Sequence, residues 1–176
     1  MEIEPMFDQA RCAVIYNDAS KRLVLNFKLH DKTSFVHTFT PWMIRAGKQL
    51  IHDSDYIIPI PLHPKKLRQR RFNQAALLAH EISKKTSNNY LPYGLISTRI
   101  TSPQKGLCKK RRVANVKGAF AINDNHLESF THKKILLIDD IFTTGATLNE
   151  AARILKNAGA AEVNVLTIAR VTKDNY

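Results

Sequence analysis

The chain has 176 residues, of which 44% are hydrophobic and 24% are charged. This length and balance are typical of one globular domain with its own core, and they exclude collagen-like, disordered and membrane-spanning classes. The start is acidic and lacks the apolar stretch of a secretory signal. The two cysteines, Cys12 and Cys108, form no C-x-x-C pair, so neither a zinc site nor a disulfide framework is indicated. We therefore expect a soluble cytoplasmic protein.

The positive charge is confined to two stretches of the chain. Lysine and arginine number 27 against 15 acids, which gives a formal net charge of +12. Residues 63–72, the first basic segment, carry five cations, and residues 99–117, the second basic segment, carry seven. Neither segment contains an acid, so together they account for the whole excess. A polyanionic partner is the expected consequence.

The apolar pattern predicts strands and helices in alternation. In chain order we expect strands at 12–16, 56–60, 119–122, 135–138 and 163–168, and helices at 21–29, 34–51, 73–85 and from Thr147 to a stop at Gly159. Trp42 and Met43 fall on the helical pattern and are predicted to be core. The alternation predicts an α/β fold with a mainly parallel sheet, in which ligands bind beyond the carboxyl ends of strands, here after Ile60 and Ile138.

The turn after the strand at 135–138 combines acids with a threonine- and glycine-rich loop. Asp139 and Asp140 are acceptors and suit hydroxyl groups or a metal ion. The loop that follows exposes backbone N–H groups and hydroxyls at a helix start, where an anion is favoured. A sugar phosphate satisfies both halves. The alternative is structural: Thr147 caps the helix and the two acids merely end the strand.

The string ILLIDDIFTTGATL resembles the phosphoribosyl pyrophosphate (PRPP) signature of type I phosphoribosyltransferases. This resemblance implies their α/β fold, a mainly parallel sheet flanked by helices with a flexible hood loop. It implies that Asp139 and Asp140 are catalytic, bind the ribose hydroxyls and contact Mg²⁺ only through PRPP. The implied 5′-phosphate site is formed by Thr143, Thr144, Gly145, Ala146 and Thr147.

Residues 58–79 and 99–120 are similar to the ComF family, which includes ComFC and GntX-like proteins. The similarity runs from about residue 7 to residue 171. Many ComF proteins begin with a four-cysteine zinc ribbon that this sequence lacks, so we expect residues 1–176 to form a single phosphoribosyltransferase-like domain. The chain then belongs to a shorter branch, or its start has been trimmed.

The first basic segment is predicted to be a loop that follows the strand at 56–60, where type I phosphoribosyltransferases hold pyrophosphate. The implied pyrophosphate-binding residues are Pro61, Leu62, His63, Lys65, Lys66 and Arg68. His63 is also a candidate general acid or base, although a histidine between prolines more often packs or hydrogen-bonds. The alternative for the cations is a solvated surface.

The second basic segment resembles the hood of this fold, a loop that covers the substrate and excludes water. The implied contacts to pyrophosphate or to the acceptor come from Arg99, Gln104 and Arg112. Asn115 and Gly118 are interpreted as turn residues. The alternative is a nucleic-acid patch, since KKRR at 109–112 is a pattern that many surfaces share.

Two hypotheses of function remain open on the sequence. The first is an enzyme that binds PRPP with Mg²⁺ and transfers the phosphoribosyl group to an unidentified nitrogen acceptor. The second is a non-catalytic accessory protein of competence or DNA uptake, whose basic segments bind single-stranded DNA. A homodimer is compatible with either hypothesis. We expect no membrane partner under either of them.

Overall fold

A computed structural model describes residues 4–29, 33–101 and 109–172. Five strands form a wholly parallel sheet: β1 (Gln9–Ile15), β2 (Tyr56–Pro59), β3 (Asn89–Tyr90), β6 (Lys134–Phe142) and β7 (Glu162–Arg170). Their order across the sheet is β1-β7-β6-β2-β3. A separate antiparallel pair is formed by β4 (Leu95–Ser97) and β5 (Phe120–Ile122). The predicted mainly parallel sheet is confirmed.

Helices cover both faces of the sheet. They are α1 (Asp18–Leu29), α2 (Phe35–Ala46), α3 (Lys48–His52), α4 (Pro64–Arg70), α5 (Gln74–Thr86), α6 (Lys109–Val116) and α7 (Ala146–Asn157), with a 3₁₀ helix at Asp124–Phe130. None of the helices within the described ranges combines the length and the apolar character needed to cross a membrane.

The core divides into two clusters because β6 is apolar on both faces. Leu136 and Ile138 pack with residues of α1, α2 and α5, whereas Ile135 and Leu137 pack with residues of α7. A continuous apolar run is the expected signature of such a doubly covered strand. The strand–helix–strand unit β6–α7–β7 is therefore present where the sequence predicts it.

The single helix predicted over residues 34–51 is wrong: the chain forms α2 and α3, which meet at Gly47. A β-carbon on Gly47 would lie 2.7 Å from a methyl group of Leu166, so the close approach of this turn to β7 requires glycine.

Two further predictions differ in part from the structure. Trp42 is 41% exposed rather than buried, whereas its neighbour Met43 is fully buried as predicted. The predicted strand at 12–16 begins earlier and ends one residue sooner, as β1.

Candidate active site

The site lies where β2 ends beside the middle of β6. Pro59 pairs with Ile138, and the Ile60 amide donates to the Ile138 carbonyl oxygen over 2.9 Å. The chain after β2 therefore runs next to the acidic pair on β6. The carboxyl edge of the sheet thus brings the predicted pyrophosphate and ribose residues together.

The acidic pair lies within β6 rather than at its end, because the strand continues to Phe142. Asp139 and Asp140 are both partly buried. The Asp140 amide donates to Asp139 Oδ1 at 2.8 Å, and the Ile141 amide donates to Asp140 Oδ1 at 2.7 Å. Each carboxylate is thus oriented by the next backbone amide, and both present oxygen acceptors at the carboxyl edge.

The turn from β6 into α7 has the local geometry of an anion site. Gly145 precedes the helix with φ of +76°, a left-handed conformation that favours glycine. The helix starts at Ala146, one residue before the predicted start. Thr144 has a buried side-chain oxygen that makes no hydrogen bond within the described part of the chain. A buried hydroxyl without a partner is costly, so it marks a position where a ligand oxygen would be stabilising.

Most of the first basic segment, predicted as a loop, is helix α4. His63 caps this helix, since its Nδ1 atom accepts from the Lys65 amide at 3.2 Å, and Pro64 occupies the first turn. The alternative that His63 hydrogen-bonds locally therefore describes this structure. The loop itself is reduced to Pro61, Leu62 and His63, which are partly buried.

The cations of α4 differ in their exposure and in their contacts. Lys65 and Arg68 are exposed at the surface of α4. Lys66 is partly buried, and its Nζ atom donates to Thr101 Oγ1 at 2.8 Å. Lys66 therefore connects the first basic segment to the beginning of the second. Its predicted contact with pyrophosphate stays a prediction.

Asn73, predicted as the first residue of a helix, is the N-cap of α5 and also fixes the end of β2. Its Nδ2 donates to the Ile60 carbonyl oxygen at 2.9 Å, and its Oδ1 accepts from the Ala75 amide at 3.0 Å as the N-cap of α5. One side chain thus joins the strand end to the following helix. The signal was available, because asparagine just before a helical pattern is a favoured cap.

Arg99 contacts backbone rather than an open site. Its guanidinium donates to the carbonyl oxygens of Lys117 at 2.7 Å and Asn115 at 3.0 Å. Both acceptors lie at the end of α6, and Asn115 belongs to this helix rather than to a turn. A cation at a helix C-terminus is stabilising. The other two residues predicted to contact pyrophosphate or the acceptor are Gln104 and Arg112. Gln104 and the side chain of Arg112 lie outside the described part of the chain.

Glu150 is a buried acid that the sequence reasoning missed, because an acid on a helix normally marks the solvent face. It is 8% exposed, accepts two hydrogen bonds from Arg153 at 2.8 and 2.9 Å, and accepts the Gly118 amide at 2.7 Å. The Arg153 bond lowers the pKa of the Glu150 carboxyl; burial opposes this and the Gly118 amide supports it, so the pKa lies below its ordinary value.

The residues present fit the Mg²⁺ and PRPP implied by the resemblance. Carboxylate oxygens suit a hard divalent cation and sugar hydroxyls alike. No group of three or more histidine, cysteine or acidic side chains able to hold a metal occurs in residues 4–29, 33–101 and 109–172.

The comparison with protein families decides the classification. The model of the phosphoribosyl transferase domain matches residues 74–175, which include β6, the acidic pair and the turn into α7. The chain belongs to this phosphoribosyltransferase family. The order of the parallel strands and the helices on both faces accord with that assignment.

Relatives of this phosphoribosyltransferase-family chain narrow the assignment to the ComF family. It is 36% identical to Competence protein F of Haemophilus influenzae over 172 residues, which are 95% of this chain and 75% of that protein. It is 32% identical to DNA utilization protein YhgH of Shigella flexneri over 116 residues, 66% of this chain and 49% of that protein. The chain thus spans three quarters of one relative and about half of the other.

Solved structures similar to this family member include orotate phosphoribosyltransferase from Aeropyrum pernix. The two share 12% sequence identity with a TM-score of 0.49, over 81% of this chain and 63% of that chain.

Proposed function

We propose that the protein binds PRPP with Mg²⁺ and transfers the phosphoribosyl group to a nitrogen nucleophile. The observation that carries the proposal is the contiguity of two carboxylates and a glycine-containing turn at the carboxyl edge of β6. The acceptors at 139–140 and the donors at 143–147 are separated by two residues, and they match the hydroxyl and phosphate ends of one sugar phosphate.

Each part of the chain has a distinct task in this proposal. Asp139 and Asp140 accept hydrogen bonds from the ribose hydroxyls and hold the ring in place. The backbone amides and hydroxyls of residues 143–147 bind the 5′-phosphate, with Thr144 supplying an otherwise unpaired hydroxyl. The segment after β2, residues 61–68, faces the pyrophosphate. Such positioning is a major part of catalysis when the leaving group is already activated.

The chemical step breaks the bond between ribose C1 and the pyrophosphate oxygen and forms a bond from C1 to the acceptor nitrogen. Pyrophosphate leaves with the electron pair, and the nitrogen gives up one proton. Mg²⁺, when bound, neutralises part of the charge on the departing oxygens. The cations of the basic segments stabilise the same developing charge electrostatically.

Isothermal titration calorimetry of the full chain with PRPP and Mg²⁺ tests the proposal. We expect saturable binding that is at least about tenfold weaker in the double variant Asp139→Asn/Asp140→Asn, because charged acceptors bind hydroxyl groups more strongly than neutral amides. The control double variant Asp18→Asn/Asp124→Asn removes two exposed acids and should bind normally. Absence of binding by the unaltered chain would contradict the proposal.

A second candidate function is binding of single-stranded DNA. The two basic segments carry more exposed cations than are needed to neutralise one pyrophosphate. These cations include Lys65, Arg68, Arg71, Arg111 and Lys117. One relative carries the name DNA utilization protein. Cations spread over a surface favour an extended polyanion.

Fluorescence anisotropy with a labelled oligonucleotide over a salt series tests this second function. DNA affinity should fall steeply with salt, and Arg68→Ala should reduce the slope of that dependence by about one counterion. Lys84→Ala, which removes an exposed cation from α5, should leave the slope unchanged. An affinity independent of salt would exclude this function.

A further inference from the structure

One peptide group is held from both sides by side chains of opposite charge. The carbonyl oxygen of Lys117 accepts from the Arg99 guanidinium at 2.7 Å, and the N–H of Gly118, which belongs to the same peptide, donates to Glu150 Oε1 at 2.7 Å. The cation thus lies at the negative end of the peptide dipole and the anion at its positive end. Hydrogen bonds to charged groups are stronger than neutral ones.

This arrangement, which we name the peptide clamp (Arg99, the peptide between Lys117 and Gly118, and Glu150), joins two parts of the site. Arg99 and Lys117 are the first and last residues of the second basic segment. Glu150 is the fifth residue of α7, the helix that starts at the predicted phosphate turn. The clamp therefore fixes both ends of the segment to that helix.

The contacts continue to the pyrophosphate side of the site. Two residues beyond Arg99, Thr101 accepts a hydrogen bond from Lys66 of α4. Thr98, immediately before Arg99, donates its hydroxyl to the Gly118 carbonyl oxygen at 3.2 Å and its amide to the Ala119 carbonyl oxygen at 3.0 Å. A connected series of polar contacts thus runs from α7 through the clamp to α4.

The chemistry of Glu150 is more specific than packing alone requires. An apolar side chain would fill this place without the cost of desolvating a carboxylate. The carboxylate is instead oriented by Arg153 through two hydrogen bonds, and one of its oxygens is directed at the Gly118 amide. Gly118 has φ of +68°, and a β-carbon there would meet no atom within 4 Å, so its special backbone conformation, not close packing, is what the clamp holds.

We infer that Glu150 and Arg99 are positioning residues, which set α4 against the phosphate turn through the contact between Thr101 and Lys66, so that both ends of one ligand are bound at once. The inference rests on the proposed function and assigns Arg99 a role through the backbone rather than through direct ligand contact. It predicts selectivity between ligands. PRPP carries both a 5′-phosphate and a pyrophosphate, whereas ribose 5-phosphate carries only the first.

Calorimetric titration of the full chain with both ligands, in the presence of Mg²⁺, tests the inference. Glu150→Ala should weaken PRPP binding by about tenfold and ribose 5-phosphate binding by less than about twofold, since only the pyrophosphate depends on the position of α4. Glu150→Gln keeps an oxygen for the Gly118 amide and should retain most of the PRPP affinity. Equal losses for both ligands, or no loss for PRPP, would overturn the inference.

A double-mutant cycle separates the clamp from two independent effects. If Arg99 and Glu150 act through one peptide, the second substitution should add little to the first. The double variant Arg99→Ala/Glu150→Ala should then have about the same PRPP affinity as whichever single variant has the lower affinity. Strictly additive losses would contradict this coupling. The matched controls Arg45→Ala and Glu128→Ala remove exposed charges elsewhere and should leave the ratio of the two affinities unchanged.

Hydrogen exchange keeps this inference distinct from the proposed function. If the unaltered chain binds neither ligand, the proposed function and the ligand-positioning role both fail. If it binds, exchange at the Gly118 amide in the ligand-free protein shows whether the clamp itself is lost. Faster exchange in both Glu150→Ala and Arg99→Ala is expected, and unchanged exchange in either variant would overturn the clamp.

Discussion

The ring of Phe142 lies against Gly145, where a β-carbon would come within 3.0 Å of the Phe142 Cζ atom. Phe142 is the last residue of β6, and Gly145 directly precedes α7. The ring therefore occupies the space that any side chain at position 145 would need, and it fixes the path of the predicted phosphate turn.

Two glycines with similar backbone angles should respond differently to alanine. Gly145 has φ of +76° and a ring within 3.0 Å, whereas Gly118 has φ of +68° and no atom within 4 Å of a β-carbon. Gly118→Ala should cost about 1 kcal/mol of unfolding free energy for the left-handed conformation, and Gly145→Ala should cost about 2 kcal/mol because of the added contact. Urea denaturation measures both values, and equal costs would show that the Phe142 contact is unimportant.

Replacing the unpaired hydroxyl of Thr144 should affect stability and binding in opposite directions. Thr144→Val removes a buried polar atom without a partner, so unfolding free energy should stay equal or rise by up to about 1 kcal/mol. PRPP affinity should fall by about fivefold if the hydroxyl donates to the 5′-phosphate.

The matched control for this substitution is Thr40→Val in α2. Thr40 is fully buried and its hydroxyl likewise makes no hydrogen bond within the described residues, but it lies in α2 rather than in the turn between β6 and α7. It should match Thr144→Val in stability and leave PRPP affinity unchanged. A loss of affinity in both variants would assign the effect to altered packing.

The stability provided by Glu150 should depend on pH. Because its folded pKa lies below the ordinary value of 4.5, its contribution is fully present above that pH and is lost as the pH falls through the folded pKa. The difference in unfolding free energy between the unaltered chain and Glu150→Gln should therefore be larger at pH 7 than at pH 3.5. Denaturation at both values measures this, and a constant difference would mean that the charge contributes nothing.

The fluorescence of the single tryptophan reports a surface position. Trp42 is 41% exposed on α2, although its ring contacts Phe39 at a centroid distance of 5.8 Å. We expect emission characteristic of a partly solvated indole and efficient quenching by acrylamide, both changing little until the fold is lost. A blue-shifted, poorly quenched emission would instead place Trp42 in a buried environment.

The sheet and its edge could be predicted because they depend on local signals. The apolar run of β6 and the turn of threonine and glycine before α7 are legible without knowledge of the rest of the chain. Asp139 and Asp140 follow directly from their place next to that run. The shift of strand and helix ends by one to four residues reflects the weaker signals at element boundaries.

Features that depend on distant contacts could not be predicted in the same way. Helix α4 contains no buried residue, so it has no apolar periodicity, and only Pro64 and the cap at His63 signal it. Gly47 lies between α2 and α3, where a β-carbon would meet the side chain of Leu166, a residue far along the chain. Glu150 is buried by a contact with Gly118 that no local pattern encodes.

The pairing of β1 with β7 has a consequence for biosynthesis. The Asp8 carboxylate accepts from the Val163 amide at 2.8 Å, although the two residues are 155 positions apart. β7 also lies between β1 and β6, so the ribosome must deliver the chain through Arg170 before the sheet can close. Until then β6 has an unpaired edge, which makes the nascent chain dependent on slow, long-range association and vulnerable to aggregation.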